Sequence, residues 1–303
     1  IGIADANSMA GVVRLHVEAK ALGLTPVIGC RIETVEGLAF LAFPTDRAAY
    51  GRLCRLISAG RMGTLDGGWQ DKGVCEISLA MLAGHSEGVQ LIALPPRDLA
   101  AEFTIAVPDN VVPFVSRQAT MPPEDSLTLR HKDTRKGELR QSRPEAACLA
   151  KGDPDADRLP LRGEDPLCLG GLVCGKSLGG FAPWRETTAP FAELLPHLTQ
   201  QLPSMRHLAA SYLYSGDDVA RIDRLDALAR AHGLGLLATN DVHYHAAHRR
   251  PLQDVMTAIR HRTTVAAAGH LLHPNAERHL KSPAQMARLF ARWPHAIAAA
   301  RAV

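Results

Sequence analysis

The sequence predicts a parallel α/β arrangement interrupted by a long irregular insertion. Strand-like apolar runs alternate with helix-like segments, and short glycine turns separate them. The alternation stops near Arg97 and resumes near Arg206, with a Pro-rich stretch between.

Taken in order, Ile1–Asp5 (IGIAD) reads as a strand. Ser8–Leu22 reads as a helix capped by Asn7 or Ser8, with Val12, Val13, His16, Val17 and Ala19 roughly on one face and Gly23 as its stop. TPVIGC and LAFLAF are the next strands. Thr45-Asp46 caps a helix running to about Ala59, and GVQLIAL is a further buried strand. In the middle zone, Arg130–Glu145 (RHKDTRKGELRQSRPE) holds almost no apolar residue and cannot bury enough surface to offset the entropy of ordering it. A poorly ordered insertion is expected there, with one small helix near Phe191–Leu202. Beyond it, LAASYLY is strand-like, and Asp217–Ala231 is helical with Val219, Ile222, Leu225 and Leu228 on one stripe. GLGLLATN is a strand and Arg250–Arg260 a helix. Ser282 caps a last helix that opens with Pro283.

The chain's 303 residues suffice for one large domain or two ordinary ones, and its 46% hydrophobic content suits a globular protein with a real core. Net charge is +3, so global charge does not point to nucleic acid. No apolar run approaches the roughly 20 residues a bilayer span needs, and no secretory signal opens the chain. Six scattered cysteines form no CxxC and read as reduced thiols, which places the protein in the cytoplasm. There is no initiator Met, and the sequence begins inside a strand-like run, as a fragment would.

The chemistry concentrates in GLLATNDVHYH (Gly235–His245). Asp241 and His243 lie two apart on an expected strand, so their side chains share a face at its carboxyl end. Sites of parallel α/β folds gather at such ends, and a carboxylate beside an imidazole suits Zn or Mn. Further ligands must come from elsewhere. Asp5, also closing a strand, is the best extra donor. His16 reads as a helix-face residue, His85 sits at the wrong end of its strand, and His245 starts the next loop.

Gly170, Gly175, Lys176 and Ser177 complete a phosphate-loop pattern. LGGFAPW follows where the helix should be, so the match reads as chance. His248, Arg249, Arg250, Arg260, His261, Arg262, Arg278 and Lys281 form a basic cluster that reads first as a solvated helix face and second as a phosphate contact.

Several stretches carry a resemblance. IGIADANSMAGVVRLHVEAKALGLTPVIGCRIE, PTDRAAYGRLCRLISAGRMG, LLATNDVHYHAAHRRPLQDVMTAIRHRTTV and NAERHLKSPAQMARLF resemble the PHP domain of bacterial C-family DNA polymerases, in the version of the error-prone branch. The resemblance covers roughly residues 1–94 and 207–303. It implies a distorted parallel β/α barrel of about seven strands. It divides the chain into a first barrel part (1–96), the irregular insertion (97–205), a last barrel part (206–265) and a lead-in to a polymerase body (266–303). It also implies a parent activity of DNA-directed DNA synthesis linked to damage tolerance and mutagenesis. The parent's catalytic carboxylates would lie in a palm domain beyond this stretch, so this stretch is not expected to polymerise DNA. The partners implied are the rest of the polymerase chain, DNA through the parent, a replication clamp or accessory mutagenesis proteins, and no membrane.

The same resemblance tests the metal site residue by residue. Active members of the family have Asp-His where this chain has Asp5-Ala6, and a Glu where it has Arg31 after Gly29-Cys30; the Asp-x-His is kept as Asp241 and His243. A cation at a ligand position repels a divalent ion. The expected site is therefore vestigial, holding Asp5, Asp241 and His243, with no cofactor expected and Zn or Mn as the ion if it is filled. Two alternatives stay open: a stand-alone metal-dependent phosphoesterase of the same superfamily, in which metal-activated water attacks phosphorus, and a nucleotide-binding module on Gly170–Ser177.

Overall fold

The computed structural model describes residues 1–108 and 184–303. The phosphate-loop pattern at Gly170, Gly175, Lys176 and Ser177, the Arg130–Glu145 stretch, and Cys148, Cys168 and Cys174 all lie outside those residues. Alternating strands and helices build a mixed α/β structure around a six-stranded sheet. Its strands are β1 (Gly2–Ala6), β2 (Val27–Glu33), β3 (Ala39–Pro44), β4 (Val89–Leu94), β7 (Met205–Ser211) and β8 (Gly235–Thr239), in the order β1-β2-β3-β4-β7-β8. The pairs β1/β2, β4/β7 and β7/β8 are parallel. β3 is antiparallel to both neighbours, against the parallel expectation. The cause is local. Between β2 and β3 the sequence leaves only a turn closed by Thr34 N–H to Leu38 O, with Gly37 at φ 84°, and a link that short joins strands only antiparallel.

The sheet curls. In a flat sheet, β2 and β8 would lie roughly 19 Å apart at the usual strand spacing. Arg31 on β2 nevertheless comes within 3.6 Å of Asp241, just past β8. The expected closure of about seven strands is not reached among the described residues, where β1 and β8 are the two edges and do not pair.

Helix α1 (Val12–Ala21) buries Val12 and Ala19, whereas Val13 and Val17 are 73% and 59% exposed. Two apolar stripes compete on this helix, and the Val12–Ala19 stripe is the one that packs. Its start also departs from the expectation. Asn7 caps nothing; it adopts φ 44° and exchanges hydrogen bonds with Glu33, its Oδ1 accepting from Glu33 N and its Nδ2 donating to Glu33 O. Helix α2 (Arg47–Met62) is capped as its sequence suggests, with Asp46 accepting from Ala49 N, and it buries Leu53, Leu56 and Ile57. Gly60 lets α2 meet the following loop. Glu76 N donates to Gly60 O at 2.9 Å, and a Cβ at Gly60 would stand 2.7 Å from Glu76 O. Helix α3 (Leu79–His85) then leads into β4, with His85 ending it against Met81 O.

The zone expected to be irregular carries regular structure at its described ends. An antiparallel ribbon of β5 (Glu102–Pro108) and β6 (Trp184–Pro190) is followed by α4 (Phe191–Gln201), which buries Phe191, Leu194, Leu195 and Leu198. Proline content concealed the ribbon: the ladder runs from Glu102 to Pro108, and Pro108 and Pro190 sit at its two ends, where a missing N–H is tolerated.

After β7 come α5 (Asp218–Ala231), β8 and α6 (Arg250–Arg260), and then α7 (Pro283–Leu289) and α8 (Pro294–Ala302). The last two, expected as a lead-in to another body, belong to this core. Phe290, Trp293 and Ala296 pack with Ala210, Leu236 and Ile222, and Trp293 Nε1 donates to Asp223 Oδ1 at 3.0 Å. The capping box of Ser282 and Gln285 starts α7 as the Ser-Pro pair suggests. Cys30, Cys54 and Cys75 are free thiols, and burial pushes Cys30 up to about 12, so it stays protonated.

Candidate functional site

β8 ends at Thr239, and the chain turns at once. Asn240 is buried and donates from Nδ2 to Glu277 O and His279 O. Asp241 then adopts φ 43°, His243 N donates to Arg278 O at 2.9 Å, and Tyr244 bridges to His279. Asp241 and His243 are thus on a loop docked against residues 277–279, and not on the strand whose alternation was to align them. They still meet, His243 Nε2 lying 3.6 Å from Asp241 Oδ1. That is too long for a hydrogen bond.

Asp241 is held by cations. Arg31 Nη1 lies 3.6 Å from its Oδ1, and Arg278 pairs with its Oδ2. Arg31 also places Nε 2.9 Å from Glu33 Oε1. Burial pulls the Arg278 guanidinium below its usual range, and neighbouring Arg31 and Arg97 pull it further; a guanidinium so shifted is still charged at neutral pH. Burial also lowers His243, with Arg31 and Arg260 adding to the shift, so its imidazole is neutral. His243 stacks edge-on against His273 with ring centroids 4.7 Å apart, and burial lowers His273 too.

Above this cluster a cavity of about 340 Å³ opens at the carboxyl ends of β4 and β7, lined among others by Arg31, Arg97, Asp217, Arg221, Asp241 and Arg278. Arg221 braces its wall by donating to the carbonyls of Pro96 and Arg97 at 2.8 and 2.7 Å. Asp218, buried at the start of α5, gathers the amides of Leu213, Ser215 and Gly216. Asn275 Nδ2 donates to Leu213 O and ties the two rim loops together.

Asp5 is elsewhere. It pairs in register with Cys30, so it shares Cys30's face of the sheet and not that of Arg31. Its Oδ2 accepts from Gly11 N at 2.9 Å, closing the loop into α1. The structure therefore brings Asp241 and His243 together and leaves Asp5 apart. Among the described residues, no group of three or more His, Cys, Asp or Glu side chains is arranged to hold a metal ion. A divalent ion at Asp241 would have to displace two guanidiniums, which the donor set does not favour. His245 stands in the next loop with its ring 6.1 Å from His248. His16 lies on the exposed side of α1. Arg278, which sequence reasoning placed in a solvated basic cluster, is the main partner of Asp241. Lys281 of that cluster pairs with Glu277 at 3.0 Å.

No protein-family model matches the chain. An error-prone DNA polymerase of Caulobacter vibrioides is 32% identical over 298 residues, which is 98% of this chain and 19% of that protein. One of Rhodopseudomonas palustris (strain HaA2) is 37% identical over 298 residues, 96% of this chain and 21% of that protein. The chain spans about a fifth of the length of the curated relatives it matches. Among solved structures, a putative metal-dependent phosphoesterase from Bifidobacterium adolescentis overlaps 32% of this chain and 58% of its own, with 15% identity and a TM-score of 0.23. No helix among the described residues is long and apolar enough to cross a membrane.

Proposed function

We propose that the chain is the PHP-like module of an error-prone, C-family DNA polymerase, and that it serves that enzyme structurally, without chemistry of its own. The observation that supports this is the similarity, along 98% of the chain, to a protein named error-prone DNA polymerase. In this reading, DNA synthesis and damage tolerance belong to the longer polypeptide. Its palm carboxylates lie outside this stretch, and the module's partners are the rest of that polypeptide and, through it, DNA. The curled sheet, whose edges among the described residues are β1 and β8, suits an open form of the distorted barrel.

The residues at the carboxyl ends of the strands serve the same reading. Arg31 and Arg278 neutralise Asp241 from two sides, neutral His243 packs on His273, and Asp5 closes a loop on the other face. These contacts do what a metal would do in stitching the mouth of the sheet, by ion pairing between β2, the loop after β8 and the 275–281 segment. Asp241 and His243 are in this view the remains of a ligand set, Asp5 stands outside it on the other face of the sheet, and no divalent ion is needed.

The test is replacement. The chain is substituted for its matched segment in the C. vibrioides polymerase, and primer extension is measured on a primed single-stranded template. Template-directed synthesis is the expected result. A soluble, folded chimera with no synthesis would reject the reading.

A further inference from the structure

Helix α6 is amphipathic the wrong way round. Leu252, Val255, Met256 and Ile259 recur at i, i+3, i+4 and i+7, which puts them on one face. In a helix that packs by its apolar stripe this face would be buried. Here the four are 58%, 44%, 54% and 70% exposed, while the polar side turns inward: the Asp254 side chain is 15% exposed and ion-paired with Arg250, and Ala258 is buried beside it. Single exposed apolar residues are ordinary, but a contiguous stripe of four large ones on one helix marks an interaction surface.

Charge selects the occupant. Exposed Arg249 stands at the N-terminal end of the stripe, and exposed Arg260, His261 and Arg262 stand at its C-terminal end. Among the described residues, Arg249, Arg260 and Arg262 form no ion pair. A second copy of the chain, laid on this stripe parallel or antiparallel, would oppose cation to cation at both ends. A surface with an apolar centre and a carboxylate rim would satisfy the stripe and both ends together. The relatives supply a place for such a surface, because about four-fifths of their length lies outside the matched stretch.

We infer that the outer face of α6 is a docking surface for the remainder of the longer polymerase polypeptide, received there by an apolar groove rimmed with carboxylates. The inference rests on the proposed function above. It adds a specific interface, in which Ile259 and Met256 seat at the centre and Arg249 and Arg260 meet the rim.

The experiment uses site-specific labelling in the same chimera. Val255→Cys is introduced into the 303-residue chain and into the chimeric polymerase, and maleimide addition at that position is followed by mass spectrometry. Labelling in the chimera is expected to be roughly ten-fold or more slower than in the chain alone, and the additional change Ile259→Asp should restore the fast rate. Equal rates in chain and chimera, with the chimera still synthesising DNA, overturn the docking surface and leave the polymerase reading standing. A folded chimera that does not synthesise DNA overturns the polymerase reading and the inference with it. Sedimentation of the chain alone covers the remaining occupant: a monomer is expected, and a dimer dissolved by Ile259→Asp assigns the face to a second copy instead.

Discussion

Asp241→Asn removes the one carboxylate that Arg31 and Arg278 share, and its cost can be worked from the geometry. Arg31 Nη1 lies 3.6 Å from Asp241 Oδ1. At that separation Coulomb's law gives about 1 kcal/mol in bulk water and about 5 kcal/mol at an effective dielectric of 20. The side chains of Arg31, Arg278 and Asp241 are 31%, 21% and 33% exposed, so the pairs are neither bare nor fully dry. Desolvation offsets much of the attraction at such a site. A coupling of about 1–2 kcal/mol between Asp241 and Arg278 is the balance expected. The cycle compares the parent, Asp241→Asn, Arg278→Met and the double variant by urea unfolding. Asp241→Asn should be the worst of the four, because it leaves the Arg278 guanidinium without its carboxylate and beside Arg31, whose remaining partner is Glu33. Adding Arg278→Met should recover part of the loss. If the single effects add to within about 0.3 kcal/mol, Asp241 is not the hub of this mouth and the reasoning fails.

Three more outcomes follow from the same structure. Burial lowers His207, His232, His243 and His273 below the ordinary imidazole value of 6.5. The unfolded chain then binds more protons, so stability should be full above 6.5 and fall as pH drops below it; urea midpoints across that range test the sign, and His243→Asn with His273→Asn should flatten the slope. Gly60→Ala, which would help an ordinary helix interior by about 1 kcal/mol, should destabilise here because the new Cβ meets Glu76 O at 2.7 Å; a rise in Tm would show that the loop yields easily. Millimolar Mn²⁺ should leave the Tm of the parent chain unchanged, whereas Arg31→Glu with Arg278→Ala, which frees Asp241 and adds a carboxylate, should make Tm respond to the ion; a metal-induced rise in the parent would overturn the vestigial-site reading.

Most of the elements were legible because their signals are local. Asp46 and Ser282 announce α2 and α7 by capping chemistry, and Arg250–Arg260 forms the helix expected there. What failed were the choices that neighbours make. α1 carries two apolar stripes, and only packing selects Val12–Ala19 over Val13–Val17. β3 reads as an apolar strand either way, and its direction comes from the shortness of the turn before it. The Trp293 indole finds Asp223 on α5, a contact that no periodicity could assign to a segment at the far end of the chain.

The site divides along the same line. Alternation on a strand put Asp241 beside His243, and the pair does meet, yet for a different reason. The strand ends at Thr239, two residues before Asp241, Asn240 anchors on the 277–279 backbone, and a left-handed Asp241 swings its carboxylate towards Arg31. Arg31 was legible as a cation where a ligand was wanted, because a charge reversal shows in one residue. Arg278 was not, because its meaning depends on a loop docking over β8 that leaves no spacing to read. The same neighbour rule that hid Arg278 sets α6 apart. The sequence predicts a helix at Arg250–Arg260, but only the fold tells which side looks out. With Asp254 turned inward and Ile259 outward, the helix presents an apolar stripe that the described residues leave uncovered.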